Sequence, residues 1–505
     1  MNKILIDLEK CIPCPNCVLN CPTGSLGFVK RKLQVKDETC VACTTCIRVC
    51  GEGALSLTLF EKYGETTCYH CPVKCRVPEG QWGACKMYQN QAGKIVRIAD
   101  YVLLETPYPL ITGVGAGSTY PDYLPSPVIL EDVVEGIDVV SAVTESPLSY
   151  ASLLLKIDTD KFIGKERDPV YYQGWEVGHV ITELYGSKVL SIGGINLLTS
   201  SVSGFATVRC MAALCNREKV NLKIGDKTHC TFQAGKRFTI NGRIHGIMRV
   251  GCGSAVVGMF AQELKEAVEE AVVIDPHITG LLSEHYAGQY LGMRPRGIRL
   301  IYPKSTDGRY FGRPGEGIGG TDLKSFTDCV ASVDWDKARP GMRVLFLETT
   351  GREYLYAELL PDGSFREIDP TPQIMEVIGL IRGNTEPAIT SVVLSVGLGG
   401  SLRKGIVRNP ILLTQAVHEG KVQISIGGRP AYVLPGGGIN VLCDITDLFP
   451  GWISWVPAPA LVAPVEFTMA KDLYIQIGGY TERIVSRQEF LAKNASKISR
   501  WPGKD

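Results

Sequence analysis

The stretch CIPCPNCVLNCP, Cys11 to Pro22, decides how this chain begins, and CVACTTCIRVCG, Cys40 to Gly51, repeats its pattern. Both stretches have the spacing Cys-x2-Cys-x2-Cys-x3-Cys. Closely spaced cysteines supply three thiolates to one iron–sulfur cluster, and in the two-cluster pattern the fourth cysteine of each run ligates the other cluster. The sequence therefore predicts two [4Fe-4S] clusters, one on Cys11, Cys14, Cys17 and Cys50 and one on Cys21, Cys40, Cys43 and Cys46.

Disulfide bonds and zinc are the alternatives for these two runs. The N-terminal sequence MNKILIDLEK is too polar for a secretion signal, which disfavours disulfides. Structural zinc sites usually combine Cys-x2-Cys pairs, not doubled runs of four cysteines. Residues 1–60 resemble the bacterial-type 2[4Fe-4S] ferredoxins, although Gly51 stands where the first run has Pro22.

A third cysteine group, Cys68, Cys71, Cys75 and Cys85, follows within residues 61–103. Four thiolates bind either an iron–sulfur cluster or Zn2+. The neighbouring runs favour a third [4Fe-4S] cluster, with Zn2+ as the alternative. The stretch resembles a short cysteine module found ahead of some radical-SAM domains, but Pro78 interrupts the Cys-x3-Cys-x2-Cys signature, so we do not expect cleavage of S-adenosylmethionine.

The bulk composition limits the partners. A length of 505 residues predicts two to four domains. A net charge of +1 without long charge runs argues against nucleic acid and acidic membrane surfaces. The apolar stretch from Gly451 to Phe467 contains three prolines and is shorter than the roughly 20 residues of a spanning helix. We expect a cytoplasmic protein without membrane contact, and the sequence leaves a homo-oligomer open.

The fold class predicted is α+β: a ferredoxin-like domain (1–60), the small cysteine-rich module (61–103), a linker (104–128) and a large mixed α/β catalytic body. The body is expected to have two lobes, 129–345 and 346–505. Residues 86–100 predict a hairpin that turns between Asn90 and Gly93. Apolar spacing predicts a helix from Ser254 to Glu270 and a buried strand at 271–275, with shorter helices at 207–216, 373–381 and 409–418.

Cys252 lies between two glycines at the start of the helix predicted from Ser254. The free N–H groups and partial positive charge of a helix start lower the pKa of a thiol and favour its use as an acid or nucleophile. A small cysteine in a tight turn explains the position equally well. We expect the other five body cysteines to be core residues: Cys210, Cys215, Cys230, Cys329 and Cys443.

A second candidate group follows the strand predicted at 271–275. Asp275, His277, Glu284 and His285 form a cluster of two carboxylates and two histidines, a composition that favours proton donation over metal binding. Arg294 and Arg296 are candidates to bind a substrate carboxylate, although solvated loop arginines are the alternative. The glycine-rich segments 313–322, 397–405 and 434–440 fit no phosphate-binding motif and are explained equally well as turns.

Several stretches resemble the 6-hydroxynicotinate reductase family: MRVGCGSAVVGMFA (248–261), VVIDPHITGLLSEHYAGQYLGMRPRGIRL (272–300), GRYF (308–311) with GIGGTD (317–322), and YVLPGGGIN (432–440) with WVPAPALVAPVEFTM (455–469). With the cysteine runs, the resemblance covers nearly the whole chain. It implies ferredoxin-dependent reduction of 6-hydroxynicotinate to 1,4,5,6-tetrahydro-6-oxonicotinate. The implied partners are a ferredoxin or similar low-potential donor and a small aromatic N-heterocyclic acid. No catalytic residue is carried over from the family.

Ring reduction needs two electrons, whereas clusters pass one at a time, so we hypothesise a flavin that collects electrons and delivers a hydride. The sequence contains no flavin-binding fingerprint. Two other functions stay open at this point. The first is an electron-transfer subunit that serves a partner enzyme. The second is a cysteine-based isomerase that uses Cys252.

Overall fold

The structure is a computed structural model, and it describes residues 3–58, 64–69, 73–86, 88–97, 110–114, 121–124, 128–182, 187–275, 280–301, 315–457 and 459–493. The two cysteine runs form the centre of the N-terminal domain. Its strands Ile4–Ile6 and Leu55–Leu57 pair antiparallel. A hairpin, Leu26–Val29 with Lys32–Val35, and two short helices, Asn16–Asn20 and Thr45–Arg48, complete it. This arrangement confirms the predicted ferredoxin-like domain.

The third cysteine group lies in two small hairpins. Glu65–Thr67 pairs with Arg76–Pro78, and Tyr88–Gln91 pairs with Lys94–Arg97. Ala92 and Gly93 turn the second hairpin with φ values of 51° and 81°, the left-handed pair that a two-residue hairpin turn requires. The hairpin predicted at 86–100 is thereby confirmed. Within the predicted linker, Leu110–Val114 pairs with Pro121–Leu124, so this segment contains a hairpin of its own.

A buried ion pair joins the N-terminal domain to this module. The ammonium Nζ of Lys3 lies 2.6 Å from Glu65 Oε1 and donates to the backbone oxygen of Cys40 over 2.5 Å. Both side chains are buried. Breaking such a pair leaves an unpaired buried charge, which costs about 3–5 kcal/mol, so the two units are firmly coupled.

The body is built on three larger sheets within the described residues, and the largest is antiparallel throughout. Its strands in spatial order are Arg243–His245, Phe238–Ile240, Thr228–Phe232, Val220–Ile224, Pro169–Tyr172, Trp175–Thr182, Ser187–Gly193, Ser149–Asp158, Thr390–Leu398, Ile439–Asp444 and Tyr432–Leu434. The helix Gly204–Cys215 packs on it through apolar side chains that are almost all buried.

The second sheet shares the core of the first. Its strands in order are Arg429–Pro430, Val422–Ile426, Ala460–Ala470, Ile137–Pro147, Val128–Val134 and Ile484–Ser486, with Ser454–Val456 beside Ala460–Ala470. Strands from both predicted lobes pair in these two sheets, for example Ser149–Asp158 with Thr390–Leu398. The boundary predicted at residue 345 falls inside the strand Arg343–Glu348. The two ranges are therefore interleaved, because antiparallel pairing joins strands that are distant in sequence.

The third sheet runs Gly280–Leu281, Glu270–Ile274, Arg343–Glu348, Tyr354–Leu359 and Phe365–Glu367. Glu270–Ile274 and Arg343–Glu348 are parallel, so their carboxyl ends lie at the same edge. Every residue of Glu270–Ile274 is buried, as predicted for this strand. The single helix predicted from 254 to 270 is wrong: Phe260, with φ −110° and ψ 21°, separates Gly253–Met259 from Ala261–Ala267.

Shorter elements connect these sheets. Two further strand pairs are Ile247–Met248 with Glu386–Pro387 and Ile298–Leu300 with Val330–Val333. The other α-helices are Ile195–Leu198, Tyr286–Tyr290, Pro372–Gly383, Gly400–Ile406, Pro410–His418, Lys471–Gln476 and Arg487–Lys493. The short helices predicted at 207–216, 373–381 and 409–418 are confirmed to within a few residues. Within the described residues, each helix is too short or too polar to cross a membrane.

Candidate functional site

Cys21, Cys40, Cys43 and Cys46, here called the inner cysteine set, line one cavity in the N-terminal domain. The last three are buried and Cys21 is half-buried. Ala42 and Thr44, on either side of Cys43, have left-handed backbone conformations with φ values of 51° and 61°. These two residues bend the loop around the cavity. Burial raises the pKa of Cys43 to about 11, because the buried thiolate is poorly solvated. Metal binding displaces the thiol proton and stabilises this thiolate.

Cys11, Cys14, Cys17 and Cys50 form the outer cysteine set. Burial raises the pKa of Cys11, and the negative charges of the Cys50 and Cys14 thiolates raise it further. Burial, followed by the same neighbours and Cys11, raises the pKa of Cys17 to about 11. Cys11, Cys17 and Cys50 also belong to one apolar cluster. The outer set lies nearer the surface, since Cys11 and Cys14 are half-buried and the adjacent Ile12 is 54% exposed.

Both sets fit a [4Fe-4S] cluster by the chemistry of their donors. Each takes three cysteines from one run and the fourth from the other, which is the exchange that the spacing predicts. The fourth cysteines also have equivalent surroundings: Cys21 Sγ accepts from the N–H of Ser25 over 3.2 Å, and Cys50 Sγ from that of Ala54 over 3.4 Å. Hydrogen bonds to cluster sulfurs are one means of setting the reduction potential.

The third cysteine group packs directly against the inner set. Cys68 and Cys75 are buried in the same apolar cluster as Cys43 and Val41, and Cys85 is half-buried. The N–H of Cys68 donates to the backbone oxygen of Cys75 over 2.8 Å, which holds these two cysteines side by side. Cys71 lies outside the described residues. Within those residues, groups of three or more His, Cys, Asp or Glu side chains spaced for one metal ion are absent.

In the body, the predicted candidates gather where the helix Gly253–Met259 meets the strand Glu270–Ile274. Cys252 caps this helix and is half-buried. Asp275 directly follows the strand and is fully buried. Its Oδ2 accepts from the N–H of Gly253 over 2.7 Å and forms a short ion pair with the guanidinium of Arg249. The carboxylate of Asp275 therefore fixes the backbone on which Cys252 stands.

Arg249 connects Asp275 to a second buried carboxylate, Asp160, whose Oδ1 lies 2.8 Å from Arg249 Nε. Burial lowers the pKa of Arg249, but Asp275 and Asp160 more than offset this effect and raise it, with a contribution from the nearby Cys252. Burial raises the pKa of Asp160 to about 6 although Arg249 acts in the opposite direction, while Asp275 and Glu348 raise it further. Arg249, three positions before Cys252, is thus buried and paired with two carboxylates.

A glycine turn closes the edge of the third sheet. Gly319 and Gly320 have φ values of 62° and 86°. A Cβ atom on Gly320 would lie 2.0 Å from the backbone oxygen of Asp160, and one on Gly319 would lie 2.7 Å from that of Ile274. Only glycine allows this close approach, so the glycines of segment 313–322 serve packing here.

His285 caps the helix Tyr286–Tyr290 and faces the start of Gly253–Met259. Its Nδ1 accepts from the N–H of Ala287 over 3.1 Å, and its Nε2 lies 2.8 Å from Ser254 Oγ. Because a backbone N–H only donates, Nδ1 of the neutral ring is unprotonated and the proton sits on Nε2, which donates to Ser254. His285 in this form orients Ser254.

The remaining predicted residues are more dispersed. Glu284 is exposed at the end of the 3-10 helix Leu282–Glu284. Arg294 and Arg296 are exposed on the loop before Ile298–Leu300, and the neighbouring Arg299 pairs with Asp334 over 3.1 Å. His277 lies outside the described residues. Cys252, Asp275 and His285 are therefore the predicted residues that the described structure brings together.

Sequence reasoning missed Arg249 and Asp160. Arg249 belongs to the MRVGCG stretch that contains Cys252, and a charged residue amid apolar neighbours is a signal of a buried pair. Its partner Asp160 lies 89 positions earlier in the chain, so spacing gives no indication of it.

The other body cysteines are core residues, as predicted. Cys210, Cys215, Cys230, Cys329 and Cys443 are buried. Burial raises the pKa of Cys230, Cys329 and Cys443 to about 12, and it also raises that of Cys210 and Cys215. A thiol of such high pKa is a poor nucleophile or base at neutral pH.

The glycine-rich segments 397–405 and 434–440 lie at the ends of paired strands, where Gly397 is opposite Asn440. Arg403 donates to the backbone oxygen of Gly399, and Lys404 to that of Arg408 just beyond the segment. The two basic side chains are thus used in local structure.

Residues 3–51 match the family described as the 4Fe-4S dicluster domain. This domain on a large α+β body defines an iron–sulfur protein with two [4Fe-4S] clusters. The chain is 44% identical over 498 residues to the 6-hydroxynicotinate reductase of Eubacterium barkeri, an alignment that covers 96% of this chain and 99% of the relative. The chain therefore belongs to the 6-hydroxynicotinate reductase family and is an iron–sulfur oxidoreductase. No solved structure matches it significantly.

Proposed function

We propose that this protein reduces the ring of 6-hydroxynicotinate to 1,4,5,6-tetrahydro-6-oxonicotinate, with a ferredoxin or similar low-potential protein as electron donor. The ring gains two electrons and two protons, so the reaction acts on a CH–CH bond. The proposal is carried by the relative of that name, which aligns over 99% of its own length. We place the reaction in the cytoplasm, where thiolates stay reduced.

The inner and outer cysteine sets would hold the two clusters, which when bound supply electrons one at a time. We propose a third [4Fe-4S] cluster at Cys68, Cys71, Cys75 and Cys85, with Zn2+ as the alternative. Its support is the packing of Cys68 and Cys75 against Cys43 of the inner set. A flavin stays a hypothesis on chemical grounds, because the ring takes up two electrons.

We assign proton donation to Cys252. Its thiol is half-buried and stands at a backbone position that Asp275 fixes through Gly253. In this proposal the thiol donates its proton to a ring carbon as a positioned general acid. Solvent then returns a proton. His277 is the second candidate for this role.

The other predicted residues take supporting roles in this proposal. His285 holds Ser254 in the first turn of the helix that Cys252 caps. Arg294 or Arg296 binds the carboxylate of the substrate through paired N–H donors, because both guanidinium groups are exposed. Glu284, also exposed, is the other carboxylate of the predicted group.

The deciding experiment is anaerobic turnover of the isolated chain with 6-hydroxynicotinate and reduced viologen. We expect consumption of about two electrons for each tetrahydro product, which chromatography detects. Cluster-loaded protein that turns over only when a partner enzyme is added would show an electron-transfer subunit. Conversion of substrate without any reductant would show an isomerase. The five core thiols provide no accessible second cysteine opposite Cys252, which argues against the two-cysteine type of isomerase.

A further inference from the structure

The body touches the core of the N-terminal domain through the first turns of the helix Gly204–Cys215, here called the docking helix. Phe205 of this helix is 2% exposed and is buried in that apolar core, together with Cys40 and Cys46 of the inner set and Cys17 of the outer set. The guanidinium of Arg48 stacks over the Phe205 ring, 5.1 Å from its centroid. An aromatic side chain of the body therefore reaches the surroundings of the cysteine sets.

Two arginines make reciprocal contacts across this interface. Arg209 of the docking helix donates to the backbone oxygen of Leu19 over 2.9 Å and to Asn20 Oδ1 over 3.0 Å. Arg48 of the N-terminal domain donates to the backbone oxygen of Pro457 in the body over 3.0 Å. Asn20 directly precedes Cys21, so its contact with Arg209 places that guanidinium beside the inner set.

Both guanidinium groups interact with thiols of the inner set. Burial lowers the pKa of Arg209, and Tyr172 and Cys21 partly offset this effect. Burial lowers the pKa of Arg48, and Cys43 partly offsets it. Arginine keeps its charge at neutral pH even so. Within the described residues, Arg48 and Arg209 are thus positive charges near cysteines of the inner set. Both charges are partly removed from solvent screening.

We propose that Arg209 is a positioning residue that docks the body onto the inner cluster and raises the reduction potential of that cluster above that of the outer one. Reduction adds one electron, and hence one negative charge, to a cluster. A poorly solvated positive charge beside it stabilises the reduced form. Electrons that enter at the more exposed outer cluster would then settle on the inner cluster, next to the body.

The test is a potentiometric titration followed by electron paramagnetic resonance on the cluster-loaded full chain. For Arg209→Met we expect the reduction step of the inner cluster to move to a more negative potential while that of the outer cluster stays in place. Arg209→Lys keeps the charge and should retain most of the wild-type potential. Arg408→Met, which removes a guanidinium that binds Gly479 and Glu482 in the body, is the matched control and should shift neither step.

Three results would overturn the proposal: no shift in Arg209→Met, an equal shift of both steps, or equal shifts in the Met and Lys variants. The last would show a purely structural role, since both variants lose the guanidinium hydrogen bonds. If Arg209→Met does not retain iron, Arg48→Met makes the same test through its charge beside Cys43. The titration needs no substrate, so its outcome is independent of the proposed ring reduction.

Discussion

The carboxylate of Asp275 accepts a hydrogen bond from the backbone N–H of Gly253 over 2.7 Å, although the two residues are 22 positions apart. Gly253 is the first residue of the helix that Cys252 caps. The same carboxylate pairs with Arg249, which precedes Cys252 by three positions. One buried side chain at the end of a strand thus holds both ends of the MRVGCG turn.

Replacing Asp275 with Asn should destabilise the body by roughly 3 kcal/mol, because a buried ion pair loses one partner. The measurement is the urea midpoint of the body, followed by tryptophan fluorescence. Asp334→Asn is the matched control: Asp334 pairs with Arg299, which is 64% exposed, so the loss should stay within about 1 kcal/mol. Equal midpoints for the two variants would contradict this prediction. Cluster absorbance should be unchanged in both.

Glu270 makes the stability of the folded body depend on pH. Burial raises its pKa from 4.5 to about 7, although hydrogen bonds from Ser283 and Ala271 act in the opposite direction. A carboxyl whose pKa is raised in the folded state favours folding when protonated. Its stabilising contribution is therefore complete below about pH 4.5 and is lost as the pH rises through about 7.

Glu270→Gln should remove this dependence, because the amide does not titrate and has the same size. The check is the thermal midpoint of wild type and variant at pH 5 and pH 8. We expect the midpoint of the variant, relative to wild type, to be higher at pH 8 than at pH 5. A constant difference between the two proteins would rule out this role of Glu270.

Metal content distinguishes the alternatives at the third cysteine group. Three clusters correspond to about twelve iron and twelve sulfide per chain, whereas two clusters with zinc give about eight iron and one zinc. We expect Cys75→Ala to lose about four iron, and Cys230→Ala, a buried core cysteine, to lose none. Loss of zinc at constant iron in Cys75→Ala would show a zinc site.

Cys252→Ala should lower kcat by about 10²–10⁴, the usual contribution of a positioned proton donor, with little change in KM. Cys443→Ala, a core thiol, is the control and should keep its kcat. Absorbance in the visible range checks that both variants retain their clusters. Wild-type turnover by both Cys252→Ala and His277→Ala would disprove the assignment of proton donation to these residues.

The family was predicted from its resemblance to stretches of the body such as 248–261. The two clusters could be predicted from the sequence, since cluster ligands in a tight loop must recur at short, fixed spacing. The same holds for the hairpin at Tyr88–Gln91 and Lys94–Arg97, whose turn needs Gly93. Each of these features depends on residues close together in the chain. Local patterns also identified the strand Glu270–Ile274 and the core cysteines, because burial selects apolar runs.

The tertiary structure alone decided which distant residues meet. Asp160 reaches Arg249, Arg209 reaches Leu19, and Ser149–Asp158 pairs with Thr390–Leu398, and these contacts divide the body differently from the two predicted lobes. Spacing in sequence holds no information about such pairs, because long-range sheet pairing and buried charges depend on how the whole core packs. The cysteine runs thus determine where the two clusters are held, whereas packing determines which residues of the body reach the cluster domain.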